Sequence, residues 1–322
     1  MQQHSWARSV AQELGAELSG LRSVGGGCIH NAWQLQLADG RQLFAKSNRA
    51  ALLPVLEAEA DGLAALAAVS RRCRQQQGSS SAPQIPEVLQ LGQLEDQAVL
   101  VLSWLELGGN NSGSSHSRQQ AWSQLGAGLA RLHRSSLAEH HGGFGWHRDN
   151  FIGSGPQPNG WQANWGQFFA QQRLGAQLQL AEQAGRSLPG AAQLLEQVPH
   201  WLAAHPAEPC LVHGDLWSGN ADLLAGGGGA LFDPAIYRGD REVDLAMAQL
   251  FGGFPEPFFS GYGREWPLPA GHRQRRQLYN LYHLLNHANL FGGGYWQQSA
   301  ASIRTLLRDP SGISPGTPDA GS

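Results

Sequence analysis

The run Leu211-Val212-His213-Gly214-Asp215-Leu216-Trp217-Ser218-Gly219-Asn220 sets an aspartate and an asparagine five positions apart, and Asp233 follows thirteen positions later. Between them, Asp222 to Gly229 reads as a short strand and a glycine turn. That is a hairpin, and a hairpin brings Asp233 back to Asn220. Any fold that carries this stretch must gather two carboxylates and an amide oxygen at one place. Such a set of hard oxygen donors suits a divalent cation of the Mg²⁺ type.

Phosphoryl transfer from ATP has the same needs. It takes little covalent help from a protein and asks mainly for alignment and for neutralisation of phosphate charge. Asn220 and Asp233 are then the candidate Mg²⁺ ligands. Asp215 is the candidate catalytic base, accepting the proton of an attacking hydroxyl. The H-x-D-x-x-x-x-N spacing is that of the protein-kinase catalytic loop, with Gly214 where those enzymes have Arg. Asp233-Pro234-Ala235 stands in place of Asp-Phe-Gly, and no Ala-Pro-Glu segment follows. Regulation by phosphorylation of an activation loop is therefore not expected.

The first hundred residues offer the other parts of a nucleotide site. A helix is expected over 5–19, where Trp6, Val10, Leu14 and Leu18 recur at near four-residue spacing. Gly25-Gly26-Gly27 could approach phosphates closely, since no side chain intervenes. Alternation at Trp33, Leu35 and Leu37, the turn Asp39-Gly40 and a returning strand to Lys46 make a hairpin. Pro54 opens a helix that runs to Val69 and carries Glu57 and Glu59. Lys46 would hold the ATP phosphates with Glu59 as its ion-pair partner, Glu57 competing for that place. Residues 71–84 read as a polar surface loop. Strands follow at 88–91 and 98–102, the second so apolar that it should be central. Trp104 and Leu105 fall in an extended stretch that could serve as a hinge reading the adenine edge.

Beyond Trp104 the character changes. Asn110 to Ser117 is a polar connection, Ser117 can cap a helix bearing Trp122, Leu125, Leu129 and Leu132, and further helices are expected over 164–182 and 273–291. The fold class is α+β and bilobal. A small five-stranded antiparallel N-terminal lobe with one main helix (residues 1–106) binds nucleotide, a larger mainly helical lobe (107–310) carries catalysis and substrate, and 311–322 form a disordered tail. The 322 residues are ample for two lobes. A net charge of -3 announces no nucleic-acid surface, and no apolar run approaches membrane length. The three cysteines match no zinc or disulfide framework, which points to a reducing cytoplasm.

The stretches GGGCIHNAW, LVHGDLWSGNA, FDPAIYRGDREVDLAM, LFGGFPEPFF and LYHLLNHANLFGGGY make the chain resemble the fructosamine kinase (ketosamine-3-kinase) family, relatives of aminoglycoside and choline kinases within the protein-kinase-like fold. The resemblance runs from about residue 5 to 300. It implies Asp215 as the catalytic base, Asn220 and Asp233 as metal ligands, and Lys46 with Glu59 as the ATP-holding pair. It also implies ATP and Mg²⁺ as cofactors and ketosamines as substrates, either small molecules or glycated protein lysines. Members phosphorylate the sugar 3-hydroxyl, and the unstable product frees the amine, which makes the family a deglycation-repair system. Bacterial-type members favour ribulosamines or erythrulosamines. Two local departures are Arg238-Gly239-Asp240, where many members have Tyr-Gly-His, and His30 ahead of Asn31.

Other residues have competing readings. His213 is structural. Asp244 opens a helix as its cap and supports the catalytic loop. Trp217 either packs in the core or stacks on a sugar. His287, with Asn286, is a candidate substrate contact, and Tyr282 cannot share its face. Cys28, in the glycine loop, could support a redox-linked dimer; otherwise the chain is a monomer. Two rival functions remain at this stage, a kinase of another small alcohol and a nucleotide-binding pseudokinase.

Overall fold

In the computed structural model of the chain, residues 4–25, 29–78, 81–108, 114–138, 142–310 and 313 are described. Helix α1 (Ser5–Glu13) leads into strands β1 (Leu18–Ser23), β2 (Asn31–Leu37) and β3 (Gln42–Arg49), then helix α2 (Leu53–Gln77) and strands β4 (Val88–Leu94) and β5 (Gln97–Ser103). The five strands form one antiparallel sheet in the order β1-β2-β3-β5-β4. Strand β5 is apolar from Ala98 to Leu102 because both its faces are covered there. Val99 and Val101 pack under α1 with Trp6 and Val10, while Ala98, Leu100 and Leu102 face α2 with Leu56, Leu63 and Leu66. Period-two alternation places the two sets on opposite faces.

Three expectations about these elements need correction. The first helix stops at Glu13 rather than residue 19. Gly15 turns left-handed at φ 74, and Ala16 N–H closes onto Ala11 O at 2.9 Å, a six-residue return that ends helices. Leu18 therefore begins β1, the fifth strand. Helix α2 runs on to Gln77, so the first half of the expected 71–84 loop is helical. Arg and Gln are good helix formers, and low complexity concealed that; Gly78 at φ 100 ends the helix. Helix α3 (Ser115–Ser136) is capped by Ser114, whose Oγ accepts from Ser117 N at 3.2 Å, rather than by Ser117.

The second half begins with α3, then the hairpin β6 (Asn150–Ile152) and β7 (Gly155–Gln157). Next come α4 (Trp165–Phe168), a π-helical turn (Phe169–Gly175), α5 (Ala176–Gln183) and α6 (Ala191–Trp201). Strands β8 (Cys210–Val212), β9 (Ala221–Leu223), β10 (Gly229–Leu231) and β11 (Tyr237–Gly239) frame the motif, and α7 (Glu242–Leu250), α8 (Glu256–Glu265), α9 (His272–Phe291) and α10 (Gly294–Arg308) close the chain. Asp244 is the third residue of α7 and Arg241 is the cap, so Asp244 is not the helix cap. One apolar cluster joins α2 and β5 to α3, α7 and α8, so the two halves share a core. Residues 104–108 link them and are tied to the β9–β10 hairpin, through Ala225 N to Glu106 O at 2.8 Å and Gly108 N to Leu223 O at 3.2 Å.

Helices α3 and α8 cross in backbone contact. A Cβ on Gly126 would lie 1.9 Å from Phe258 O, and one on Gly261 would lie 2.1 Å from Ser123 O. Gly126→Ala is expected to force the pair apart and cost at least about 3 kcal/mol, the upper end of ordinary overpacking. Urea unfolding reads this directly, and an unchanged midpoint would contradict it.

Cys28 and Gly26-Gly27 lie outside the described residues, as does the expected tail apart from Ile313. That residue is buried against the C-terminal helices, so it is not part of a loose end. Cys73 and Cys210 are buried and free. Among the described residues, no helix is long and apolar enough to cross a membrane.

Candidate active site

Strand β8 ends at Val212, and the loop after it is set by backbone geometry. Gly214 has φ 80, and a Cβ there would come 2.0 Å from Ala235 O. No side chain fits, which accounts for glycine where protein kinases place arginine. His213 donates through Nε2 to Phe232 O at 2.9 Å, and its Nδ1 accepts Asp215 N–H at 3.3 Å. It is the internal brace expected of it. Phe232 N to Asn220 O at 3.1 Å and Ala235 N to His213 O at 2.9 Å close the hairpin onto the loop.

The closure brings the three motif side chains together. Asn220 Nδ2 donates to Asp215 O (2.9 Å), Asp215 Oδ2 (3.1 Å) and Asp233 O (3.3 Å). With Nδ2 so committed, Oδ1 is the Asn220 atom left to meet a cation. Asp233 takes φ 56, a left-handed setting that aspartate tolerates better than most residues. Its Oδ1 accepts from Lys46 Nζ at 2.5 Å, and the same ammonium meets Glu59 Oε1 at 2.8 Å. Glu59 is thus the partner of Lys46. Glu57 instead faces Arg148 at 3.8 Å.

Burial works against every charge at this point. It pushes the Asp215 carboxyl up to about 7, with help from the Asp233 charge and against the Asn220 hydrogen bond. It raises Glu59 as well, against the pull of Lys46. On Lys46, burial acts downward, but Asp233 and Glu59 outweigh it and hold the ammonium above its usual range. One cation shared by two acids leaves the cluster short of positive charge. An oxygen-seeking cation beside Asn220 Oδ1 and Asp233 would correct that, so the residues present fit a divalent metal ion.

These groups line a cavity of about 1120 Å³ between the two halves. Gly25, Lys46, Glu59, Trp104 and Leu105 all border it, together with Phe44 and Leu102. Trp104 Nε1 donates to Glu106 Oε1 at 2.8 Å within the segment that links the two halves. Trp217 is not core. It is 36% exposed and lines the cavity. His287 also lines it, its Nδ1 bonded to His283 O at 2.8 Å and its ring against Phe251. Asn286 borders the cavity too and is buried, with Oδ1 lacking a partner. Tyr282 points elsewhere, donating to Gln157 Oε1 at 2.6 Å.

Asp244 supports the catalytic loop as expected, while its partners His133 and Tyr262, and Asn150, Gln157 and Trp146, escaped the sequence reading. Asp244 accepts from His213 N (2.7 Å), Gly214 N (2.8 Å) and His133 Nε2 (3.0 Å), and His133 Nδ1 meets Tyr262 OH at 2.9 Å. A relay from α8 through α3 to α7 thus pins the loop backbone. The available signal was a histidine set four residues after Leu129 in the apolar stripe of α3. Asn150 Nδ2 to Ile236 O (2.7 Å) and Gln157 Nε2 to Ala235 O (3.0 Å) hold the segment after Asp233. Trp146 Nε1 to Asp61 Oδ2 at 2.7 Å fixes α2 from the far side.

Comparison with known proteins agrees with this architecture. The model of the family described as fructosamine kinase matches residues 1–309. A probable ketoamine kinase of Synechocystis sp. is 42% identical over 305 residues, covering 94% of this chain and 96% of its own. The chloroplastic protein-ribulosamine 3-kinase of Arabidopsis thaliana is 35% identical, covering 91% of this chain and 84% of its own. Among solved structures, one assigned as a fructosamine-3-kinase from Haemophilus somnus superposes with a TM-score of 0.79 at 25% identity, covering 94% of this chain and 96% of that one. An aminoglycoside phosphotransferase shares the kinase-like fold at a TM-score of 0.61 and 19% identity, covering 94% of this chain and 98% of that one.

Proposed function

The chain belongs to the fructosamine kinase family, and from that premise we propose that it transfers the terminal phosphoryl group of ATP to the sugar 3-hydroxyl of a ketosamine. Membership in a kinase family carries the use of ATP as donor. The acceptor is a ketosugar on an amine, free or on a glycated protein lysine, and the activity is deglycation repair. A ribulosamine is the favoured acceptor, because the plant relative is named for that sugar. We place the reaction in the cytoplasm, in keeping with the free, buried Cys73 and Cys210.

The observation that carries this reading is the meeting of Asp215, Asn220 and Asp233 beside the Lys46–Glu59 pair in one cavity. Asp215 takes the proton from the acceptor hydroxyl as that oxygen attacks phosphorus. Lys46, fixed by Glu59, binds phosphate oxygens and aligns the donor. Asn220 and Asp233 would hold Mg²⁺, which when bound neutralises phosphate charge. Gly25 and the glycines after it allow close approach of the polyphosphate, and Trp104 and Leu105 flank the base. Trp217 and His287, which also line the cavity, border the sugar.

The test is incubation with Mg²⁺, ATP and ribulose-, erythrulose- and fructose-lysine, read as phosphate incorporation. Incorporation is expected with at least one ketosamine and none with an aminoglycoside or choline. Turnover confined to those other alcohols would replace the reading. Nucleotide binding without any turnover would make the chain a pseudokinase.

A further inference from the structure

Lys46 has a further neighbour among the cavity-lining residues, His30. In the β2–β3 register Ala32 faces Lys46 and Asn31 faces Ser47, which sets His30 opposite Asn48. Asn48 Nδ2 lies 3.1 Å from His30 Nδ1 and also donates to Ile29 O at 2.8 Å. An amide nitrogen can only donate, so His30 Nδ1 accepts and the ring proton sits on Nε2. With Nδ1 tied back to the strand, Nε2 at the far end of the ring carries the proton that His30, a lining residue, can offer to a ligand in the cavity.

The strand itself measures out what His30 can reach. Phe44, Lys46 and Asn48 share one face of β3 and are spaced about 7 Å apart, two residues at a time. Phe44 pairs with Leu102 next to the Trp104–Leu105 hinge, and Lys46 and Asn48 lie successively farther from it, opposite Leu100 and Ala98. A nucleotide lying with its base at the hinge and its inner phosphates at Lys46 brings its terminal phosphate to the level of Asn48 and His30. Burial and the Lys46 charge hold the imidazole down at about 4, against Asp233, so it is an uncharged donor at neutral pH.

We infer that His30 Nε2–H donates a hydrogen bond to the terminal phosphate of the bound nucleotide, making His30 a contact that distinguishes nucleoside triphosphate from diphosphate. This rests on the kinase reading above and adds a residue to it. Lys46 serves the inner phosphates, and His30 steadies the group that is transferred.

The experiment compares affinities for Mg·AMP-PNP and Mg·ADP in wild type, His30→Ala and His30→Gln by calorimetry. His30→Ala should weaken AMP-PNP binding about tenfold, the ratio a hydrogen bond to a charged oxygen commonly carries, and leave ADP within about twofold. His30→Gln, whose amide can still donate, should recover much of the difference. In wild type, the His30 imidazole ¹⁵N signal should move on adding AMP-PNP and stay nearly still on adding ADP, a readout that needs no variant. Equal losses for both nucleotides, no loss for either, or an unmoved imidazole would overturn the contact. If wild type still phosphorylates a ketosamine in that event, the contact alone fails. If wild type binds neither nucleotide, the kinase reading falls and takes this inference with it.

Discussion

Asp215→Asn should lower kcat by about 10²–10⁴, the usual range for losing a general base, while the protein stays folded and binds Mg·ATP. The amide matches the carboxylate in size and can still accept the Asn220 Nδ2 hydrogen bond that Asp215 Oδ2 receives at 3.1 Å. It cannot take a proton. The loss should therefore fall on kcat, with KM for ATP little changed. The pH profile supplies a second reading. Burial and the Asp233 charge raise the Asp215 carboxyl to about 7, and only the deprotonated form is a base. Wild-type kcat/KM should fall as the pH drops through that region. A cation at Asp233 offsets the neighbouring charge and moves the fall to lower pH. In the Asn variant the acid limb disappears. Rates over about pH 5 to 9 decide the matter: a variant with near wild-type kcat, or one that keeps the acid limb, is incompatible with Asp215 as the base.

How far the site could be read in advance depended on distance along the chain. Asp215, Asn220 and Asp233 are joined by a loop and one tight hairpin, so spacing alone brings them together. Lys46 and Glu59 required a strand and a helix to dock. Helical geometry turns Glu57 and Glu59 about 200° apart, so only one of them can face the sheet. Which one does so is settled by packing, and the structure gives Glu59 to Lys46 and Glu57 to Arg148. The relay through Tyr262, His133 and Asp244 sets His133 on α3 against two partners each more than a hundred residues away, and the histidine in the apolar stripe of α3 is its one local mark. Boundaries were missed for local reasons. Gly15 ends α1 before its apolar spacing does, and the Arg- and Gln-rich end of α2 resembles loop composition.

Asp244→Asn should damage folding as much as catalysis. The Asp244 side chain is wholly buried, and its two oxygens accept from His213 N, Gly214 N and His133 Nε2. Every neighbour is a donor. An asparagine must turn its own N–H₂ toward one of them, leaving buried donors opposed and unpaired. Breaking one side of such a buried arrangement typically costs about 3–5 kcal/mol, which in a chain of this size lowers the melting temperature by about 10 °C. Because the two amides belong to the residues just ahead of Asp215, the catalytic loop loses its anchor, and kcat should fall although Asp244 touches no substrate. The pH dependence separates this role from simple packing. Burial acts to raise the Asp244 carboxyl, but His133 and the loop amides overcome it and hold it below the usual carboxylate range. A depressed folded value means the stabilisation is present above the unfolded value of about 4 and is lost as pH falls through the lower folded value. The gap between wild type and variant should therefore be wide at neutral pH and narrow in strong acid. Urea unfolding at both pH values measures it. A gap of equal size at both, or a variant as stable as wild type at pH 7, would mean that the carboxylate is not what holds the loop.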